Sequence, residues 1–349
     1  MVLLVTGGAG FIGSNFLHLF VRKHPGIQFI NLDALTYAGN LMNLESIADA
    51  PNYRFVKADL ANMAEVRQVF ETYAPTHVIH FAAETHVDRS IHGPDAFIRT
   101  NVYGMYNLLE CCRSAWSLDQ EHKLVDVSTD EVYGSLGSEG AFTEASPFAP
   151  NSPYSASKAS ADLIARSYYR TFGVPVSITH CSNNFGPMQF PEKLIPLMIL
   201  NAIEGKKLPI YGAGQNVRDW LYVEDHCDAL WAVLTQGRIG DTYAIGGGTE
   251  LANILIVSML CEEVAEQTGI SVVSLRANIE FVPDRPGHDF RYAIDSTKIA
   301  RELGWSPKHE FRSALKETVR WYLNHPQWVA AVKSGDYRTW LKDHYGVTA

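Results

Sequence analysis

A short apolar run, Val2–Thr6, passes directly into Gly7-Gly8-Ala9-Gly10-Phe11-Ile12-Gly13 and then into a helical pattern over Phe11–Lys23. Strand, glycine turn and helix in that order restrict the fold severely. The glycines let the backbone turn tightly and approach a pyrophosphate, which then sits on the helix N-terminus. By itself the glycine pattern could be no more than a tight turn. Asp33 adds weight, because it closes the next strand, Gln28–Asp33, 20 residues after Gly13. A carboxylate there hydrogen-bonds the adenosine ribose hydroxyls and repels a 2′-phosphate. The expected ligand is therefore NAD rather than NADP.

The alternation continues. Arg54–Ala58, His77–Ala82, Leu124–Thr129 and Pro175–His180 read as strands, with helices over Phe97–Trp116 and Tyr154–Phe172. Such alternation predicts an α/β, Rossmann-type doubly wound parallel sheet, with ligands at the carboxyl ends of the strands. After Asn183 the pattern loosens, with Pro187, Pro191 and Pro196 marking a loop and a helix start, and Tyr243–Gly246 forming one more strand. We expect residues 1–182, with returns near 221–249 and 291–299, to form the NAD-binding domain. Residues 183–220 and 250–349 would form a smaller C-terminal substrate-binding lobe. Asp59-Leu60 could border the adenine, although Asp59 could equally cap a helix. Phe81-Ala82-Ala83 would let the cofactor lie against the sheet edge.

Two groups carry the chemistry. In Tyr154-Ser-Ala-Ser-Lys158 the spacing of four puts Tyr and Lys on one helix face. Tyrosine titrates near 10 and is a poor base at neutral pH unless an ammonium stabilises its phenolate. Thr129-Asp130-Glu131 closes the preceding strand. Thr129 can hold a reacting hydroxyl toward Tyr154, and the two carboxyls offer an acid and a base beside it. Alone, they could be a solvated loop or a helix cap. Next to a redox tyrosine they suggest oxidation, loss of water and re-reduction at one site.

The chain has 349 residues, 46% hydrophobic and 19% charged, as expected of a globular fold. Its net charge of −9 disfavours a nucleic-acid partner. Cys111, Cys112, Cys181, Cys227 and Cys261 form no metal-type spacing, so no metal is expected and free thiols in a reducing cytoplasm are. The opening apolar run is too short for a signal peptide, and no run approaches a membrane span.

Further strings sharpen the reading: Asp33-Ala-Leu-Thr-Tyr-Ala-Gly-Asn40, Ala82-Ala-Glu-Thr-His-Val-Asp-Arg-Ser90, Ser128-Thr-Asp-Glu-Val-Tyr-Gly134, Ser182-Asn-Asn-Phe-Gly-Pro187, Pro191-Glu-Lys-Leu-Ile-Pro196, Val217-Arg-Asp-Trp-Leu221 and Asp284-Arg-Pro-Gly-His-Asp289. With the glycine loop, they make the chain resemble the extended short-chain dehydrogenase/reductases, and more narrowly the dTDP-glucose 4,6-dehydratase family. The resemblance implies NAD as cofactor, dTDP-glucose as substrate and a homodimer packed through the two long helices.

It also implies roles. Tyr154, helped by Lys158, would take the C4 hydroxyl proton, Glu131 the C5 proton, and Asp130 would protonate the departing C6 hydroxyl. Gly7, Gly10, Phe11, Ile12, Gly13, Asp33, Thr36, Asp59, Leu60, Phe81, Ala82, Ala83, Thr100 and Asn184 would border the cofactor. Thr85, Asn183, Lys193 and Leu194 would lie near the sugar, and Pro209 and Tyr211 near the base. Arg218, Asn253, Asp284, Arg285 and His288 would hold pyrophosphate and nucleoside. Arg218 could instead pair with Asp219, and His288 could be satisfied within its loop.

The chain departs from the family pattern at Thr85 (commonly Ser), Phe185 (commonly Tyr) and Leu251-Ala252 (commonly a more polar pair). A sugar 4-epimerase or a nucleotide-sugar decarboxylase on the same scaffold, or a non-catalytic NAD-binding protein, are the competing readings. The carboxyl pair argues against an epimerase, Asp33 against an NADP-tolerant GDP-mannose dehydratase, and the intact Tyr-Lys pair against a non-catalytic protein.

Overall fold

The computed structural model describes residues 1–117 and 121–334. The last segment expected in the C-terminal lobe, 335–349, lies outside the described residues. In chain order the strands are β1 (Val2–Thr6), β2 (Gln28–Asp33), β3 (Tyr53–Lys57), β4 (His77–His80), β5 (Lys123–Thr129) and β6 (Val176–Cys181). They continue with β7 (Asn183–Phe185), β8 (Leu208–Tyr211), β9 (Val217–Tyr222), β10 (Thr242–Ile245), β11 (Glu250–Ala252) and β12 (Ile279–Val282).

Seven of them form one parallel sheet in the order β10-β6-β5-β4-β1-β2-β3. The order reverses between β1 and β4, and a crevice opens at their carboxyl ends. Both faces are covered, so apolar residues point to both sides of the strands. Leu3, Val5, Val125 and Val127 pack toward Phe16, Leu17 and Val223. Leu4, Val78, Leu124 and Val176 pack the other way, against Leu108, Leu109, Ala161 and Ala165.

Gly7 has φ +71°, and a Cβ there would fall 2.5 Å from the Ala82 nitrogen. At Gly13 a Cβ would fall 2.5 Å from the Gly7 oxygen. The first turn of the helix Phe11–Phe20 therefore sits directly against the loop. Its N-cap, Gly10, brings no side-chain acceptor, which leaves the leading amides directed outward.

The helix Pro153–Phe172 starts from a capping box, Ser152 with Ser155, with Pro153 in its first turn, and Gly173 closes it in the left-handed conformation. The helix expected over Phe97–Trp116 is not uniform. Ile98–Tyr103 is wound as a π-helix before Gly104–Ala115 resumes the α form. The wide turn rotates Asn101 inward, where its side chain bonds the Glu84 backbone (2.9 and 3.0 Å) and Ser157 Oγ (2.8 Å). Asp59 does not cap a helix: Asn62 caps Met63–Tyr73, and Asp59 accepts from the Ala61 amide instead.

Beyond β6 the chain builds a second, three-stranded sheet, β11-β9-β7, and the parallel pair β12-β8. One residue, Ser182, separates β6 from β7, and β9 runs without a break into the helix Val223–Gln236. Phe185, where the family resembled commonly has tyrosine, is a core residue, with ring centroids 5.2–6.3 Å from Phe311, Tyr222 and Trp220. A phenol there would need a partner, so the phenylalanine loses nothing at this position.

Candidate active site

The crevice at the strand ends is a continuous cleft of about 1800 Å³, including its open mouth. The glycine loop (Gly7, Gly10, Phe11, Ile12, Gly13) lines one end with Asp33, Thr36, Asp59 and Leu60. Phe81, Ala82, Ala83 and Thr100 line the wall, and Thr85, Thr129, Asp130, Glu131, Tyr154, Lys158, Asn183, Asn184, Lys193 and Leu194 the other end.

The dinucleotide end fits its ligand. The open amides of Phe11–Phe20 suit a pyrophosphate, and only glycines fit the approach. Asp33 is buried, and its carboxylate accepts from the Leu35 amide (2.8 Å) and the Ala9 amide (2.9 Å). A carboxylate has about four acceptor sites, so two remain for ribose hydroxyls. Burial pushes the Asp33 carboxyl up, and these two amides pull it back.

At the chemical end Thr129 Oγ1 donates to Asp130 Oδ1 (3.3 Å) and accepts from the Glu131 amide (3.3 Å). Tyr154 is held edge-on by Phe97 at 6.3 Å. Its phenol is raised well above the usual range by burial first, then by Glu131, Cys181 and Asp130, with only Thr129 opposing. The expected lowering by Lys158 is thus not what dominates. The Lys158 ammonium instead lies 3.6 Å from Asp126 Oδ1, with both side chains buried.

The two carboxyls sit in different fields. Asp130 is raised well above the usual range by burial, then by Glu131 and Asp219, with Arg218 opposing; its Oδ2 is buried without a partner. Glu131 is also raised by burial, but three cations oppose it: Lys193, Arg285 and Arg218. Both carboxyls are thus held toward their protonated forms, Asp130 the more strongly, because cations offset burial at Glu131. Because Asp130 holds its proton in the folded chain above the pH where the unfolded chain releases it, it costs stability as pH rises from about 4 through its folded value. Asp130→Asn is expected to raise Tm, by more at pH 8 than at pH 5. Thermal scans at the two pH values check this, and a pH-independent or lowered Tm contradicts it.

Seven expected substrate residues lie outside the cleft lining: Pro209, Tyr211, Arg218, Asn253, Asp284, Arg285 and His288. The reason is topological, since they come from β8, β9, the first residue of the helix Asn253–Thr268 and the loop after β12. Several meet in a neighbouring rim. Arg285 Nη1 reaches Asp88 Oδ1 at 3.2 Å, and the Tyr211 hydroxyl donates to Asp88 Oδ2 at 3.0 Å. His288 is satisfied by Asp284 at 2.6 Å. Asn253 Oδ1 is buried without a partner. Arg218 does not pair with Asp219, which accepts from the Gly247 and Thr249 amides. Arg218 donates to the Asp289, Val217 and Phe290 carbonyls and lies 4.2 Å from the Tyr292 ring centroid.

The sequence reading missed Glu84, Glu192 and Trp220, which line the cleft. Trp220 Nε1 is buried without a partner. Lys193 Nζ donates to the Thr85 carbonyl at 2.8 Å and so ties two expected sugar-side residues together.

Comparison with known proteins agrees with this geometry. A family model described as GDP-mannose 4,6 dehydratase matches residues 4–318. The dTDP-glucose 4,6-dehydratase of Salmonella typhimurium is 50% identical, over 99% of each chain. The crystal structure of dTDP-glucose 4,6-dehydratase from Bacillus anthracis in complex with NAD superposes with a TM-score of 0.85 at 49% identity, covering 95% of this chain and 99% of that one. The enzyme of the same name from Streptomyces venezuelae, also solved with NAD, gives 0.87 at 47% identity over 94% and 98%.

Proposed function

This chain belongs to the dTDP-glucose 4,6-dehydratase family, and on that premise we propose how its residues divide the work. The enzyme is a hydro-lyase that converts dTDP-glucose to dTDP-4-keto-6-deoxyglucose, a step of deoxysugar biosynthesis. NAD, held by the glycine loop and Asp33, supplies temporary oxidation at C4 and the reduction at C6.

Tyr154 takes the C4 hydroxyl proton while Thr129 holds the oxygen. The ketone at C4 acidifies C5–H, and Glu131 removes that proton. Asp130 gives its proton to the C6 hydroxyl, which leaves as water, and Glu131 returns a proton to C5. The observation that carries this reading is the carboxyl pair itself. Asp130 faces carboxylates and Glu131 faces cations, within one cleft with Tyr154.

Lys193, Thr85 and Asn183 hold the sugar. The rim of Arg218, Asn253, Asp284, Arg285 and His288 takes the nucleoside diphosphate, with Pro209 and Tyr211 beside the base. Arginine suits a pyrophosphate because its planar fork binds two oxygens. The protein acts as a homodimer. Tyr103 (58% exposed) and Leu163 (55%), on the two long helices, are apolar surface for a second copy. A reducing cytoplasm fits the five unpaired, buried cysteines, and among the described residues no helix is long and apolar enough to cross a membrane.

Incubation with dTDP-glucose and with UDP-glucose, without added NAD, tests the assignment. The alkaline absorbance of a 4-keto sugar should develop, faster with dTDP-glucose. A sugar that is merely epimerised, or untouched, overturns it.

A further inference from the structure

Behind the reacting groups lies a buried polar patch that the mechanism above does not use. On β4, β5 and β6 the side chains facing the helix Pro153–Phe172 are apolar where the strands begin: Val78, Leu124, Val176 and Ile178. Toward the carboxyl ends the same face turns polar, with His80, Asp126, Ser128 and His180 all buried. His80 and Asp126 are register partners, as are Ser128 and His180.

Into this patch the helix lowers Lys158 and, one turn on, Asp162. Asp162 Oδ2 accepts from Ser128 Oγ at 2.9 Å and lies 3.0 Å from His180 Nε2. His180 Nδ1 in turn meets the Tyr133 hydroxyl at 2.5 Å. Asp162 Oδ2 is thus committed to its own partners. Asp126 is not: neither carboxyl oxygen makes a hydrogen bond. Among the described residues it is the only carboxylate within ion-pair distance of Lys158, at 3.6 Å.

We propose that Asp126 is a positioning residue for the oxidation at C4: its carboxylate is the buried counter-charge that keeps Lys158 ionised and in place one helical turn from Tyr154. The inference rests on the reading of Tyr154 and Lys158 given above. A buried ammonium without a counter-charge gives up its proton, with shifts of up to about 3–5 pH units. An uncharged Lys158 cannot favour the Tyr154 phenolate. The other titratable groups facing the pair cannot replace Asp126. His80 is pushed down to about 3 by burial and by Lys158, so it stays neutral. Cys181, on β6, is pushed up by burial and stays a thiol. Tyr133 and Tyr154 are both raised by burial, and His180 is engaged by Asp162 and Tyr133. Asp126 itself is raised to about 7, first by burial, with Lys158 opposing and Asp162 reinforcing. It therefore depends on Lys158 as much as Lys158 depends on it.

The test is the pH profile of the first-turnover rate of C4 oxidation in the NAD-loaded enzyme. In Asp126→Asn the activity should fall on the alkaline side at a pH lower by about one unit or more than in the unaltered enzyme, with KM for dTDP-glucose nearly unchanged. In Asp162→Asn, which leaves the Asp126–Lys158 pair intact, that limb should not move down. An unmoved limb in Asp126→Asn, or the same displacement in both variants, overturns the proposal.

A second measurement is independent of turnover. Lys158→Met should lower Tm by leaving Asp126 uncompensated, and adding Asp126→Asn should restore it. A double variant no more stable than Lys158→Met also overturns the proposal. If the unaltered enzyme makes no 4-keto product, the assignment of function fails, and the stability comparison still decides whether the pair exists.

Discussion

Replacing Tyr154 with phenylalanine is expected to slow oxidation at C4 by about 10²–10⁴-fold, the usual contribution of a positioned general base. The substitution is clean. The ring of Tyr154 packs in a small cluster with Val87 and Phe97, and a phenylalanine keeps those contacts. What it loses is the phenolic oxygen that, as phenolate, would receive the proton of the sugar. Rapid mixing of NAD-loaded enzyme with dTDP-glucose, followed at the absorbance of the reduced cofactor, measures the step directly. Substrate affinity should change little, since the hydroxyl acts mainly as the reaction proceeds. A first-turnover rate equal to that of the unaltered enzyme removes Tyr154 from the reaction.

Glu131→Gln should separate the two halves of the chemistry. Glutamine keeps the length and shape of the side chain but cannot take a proton. Oxidation at C4 should continue, whereas exchange of the C5 hydrogen with deuterated water should fall by about 10²–10⁴-fold. Loss of water should stop with it, because elimination needs the C5 carbanion character that Glu131 generates. Mass spectrometry of the recovered nucleotide sugar reads the exchange, and normal exchange in the variant rejects Glu131 as the base. The surroundings favour Glu131 over its neighbour for the role of base. Lys193, Arg285 and Arg218 all favour its ionised form, whereas Asp130 has two carboxylates against it and one cation for it.

The parts of the site legible in the sequence are those set by local geometry. The glycine loop, Asp33, the Thr-Asp-Glu triplet and the Tyr-Lys spacing each lie within one strand–turn–helix unit, so order and spacing alone place them. Asp126 was not legible. It sits within Leu124–Thr129, which reads as a buried strand, and nothing local says that it would face Lys158, 32 positions later. That contact depends on which strand face the helix covers. Trp220 and Glu84 enter the cleft for similar reasons, from a strand in the second sheet and from a loop pinned by Asn101. The π-turn at Ile98–Tyr103 leaves no local signal either, because its cause is where Asn101 must point. The strands β7 and β11 have three residues each, too few for an alternating pattern to register. Of the rim residues, Arg218, Asp284, Arg285 and His288 were recognisable within strings, but the rim's position relative to the cleft follows from how four separate chain segments return to one edge.

The single residue between β6 and β7 has a mechanical consequence. Ser182 offers only two soft torsions between the two sheets. The way back is just as short, because β9 pairs with β7 and then becomes a helix whose Leu230 and Val233 are sealed into the same core as the main sheet. Two direct splices side by side make a weld rather than a hinge. Among the described residues, these two crossings leave no linker long enough to serve as a hinge between the two sheets there. Arg285 and Tyr211 both bond Asp88 at the rim, and breathing of that latch is the motion to look for if product release limits the rate.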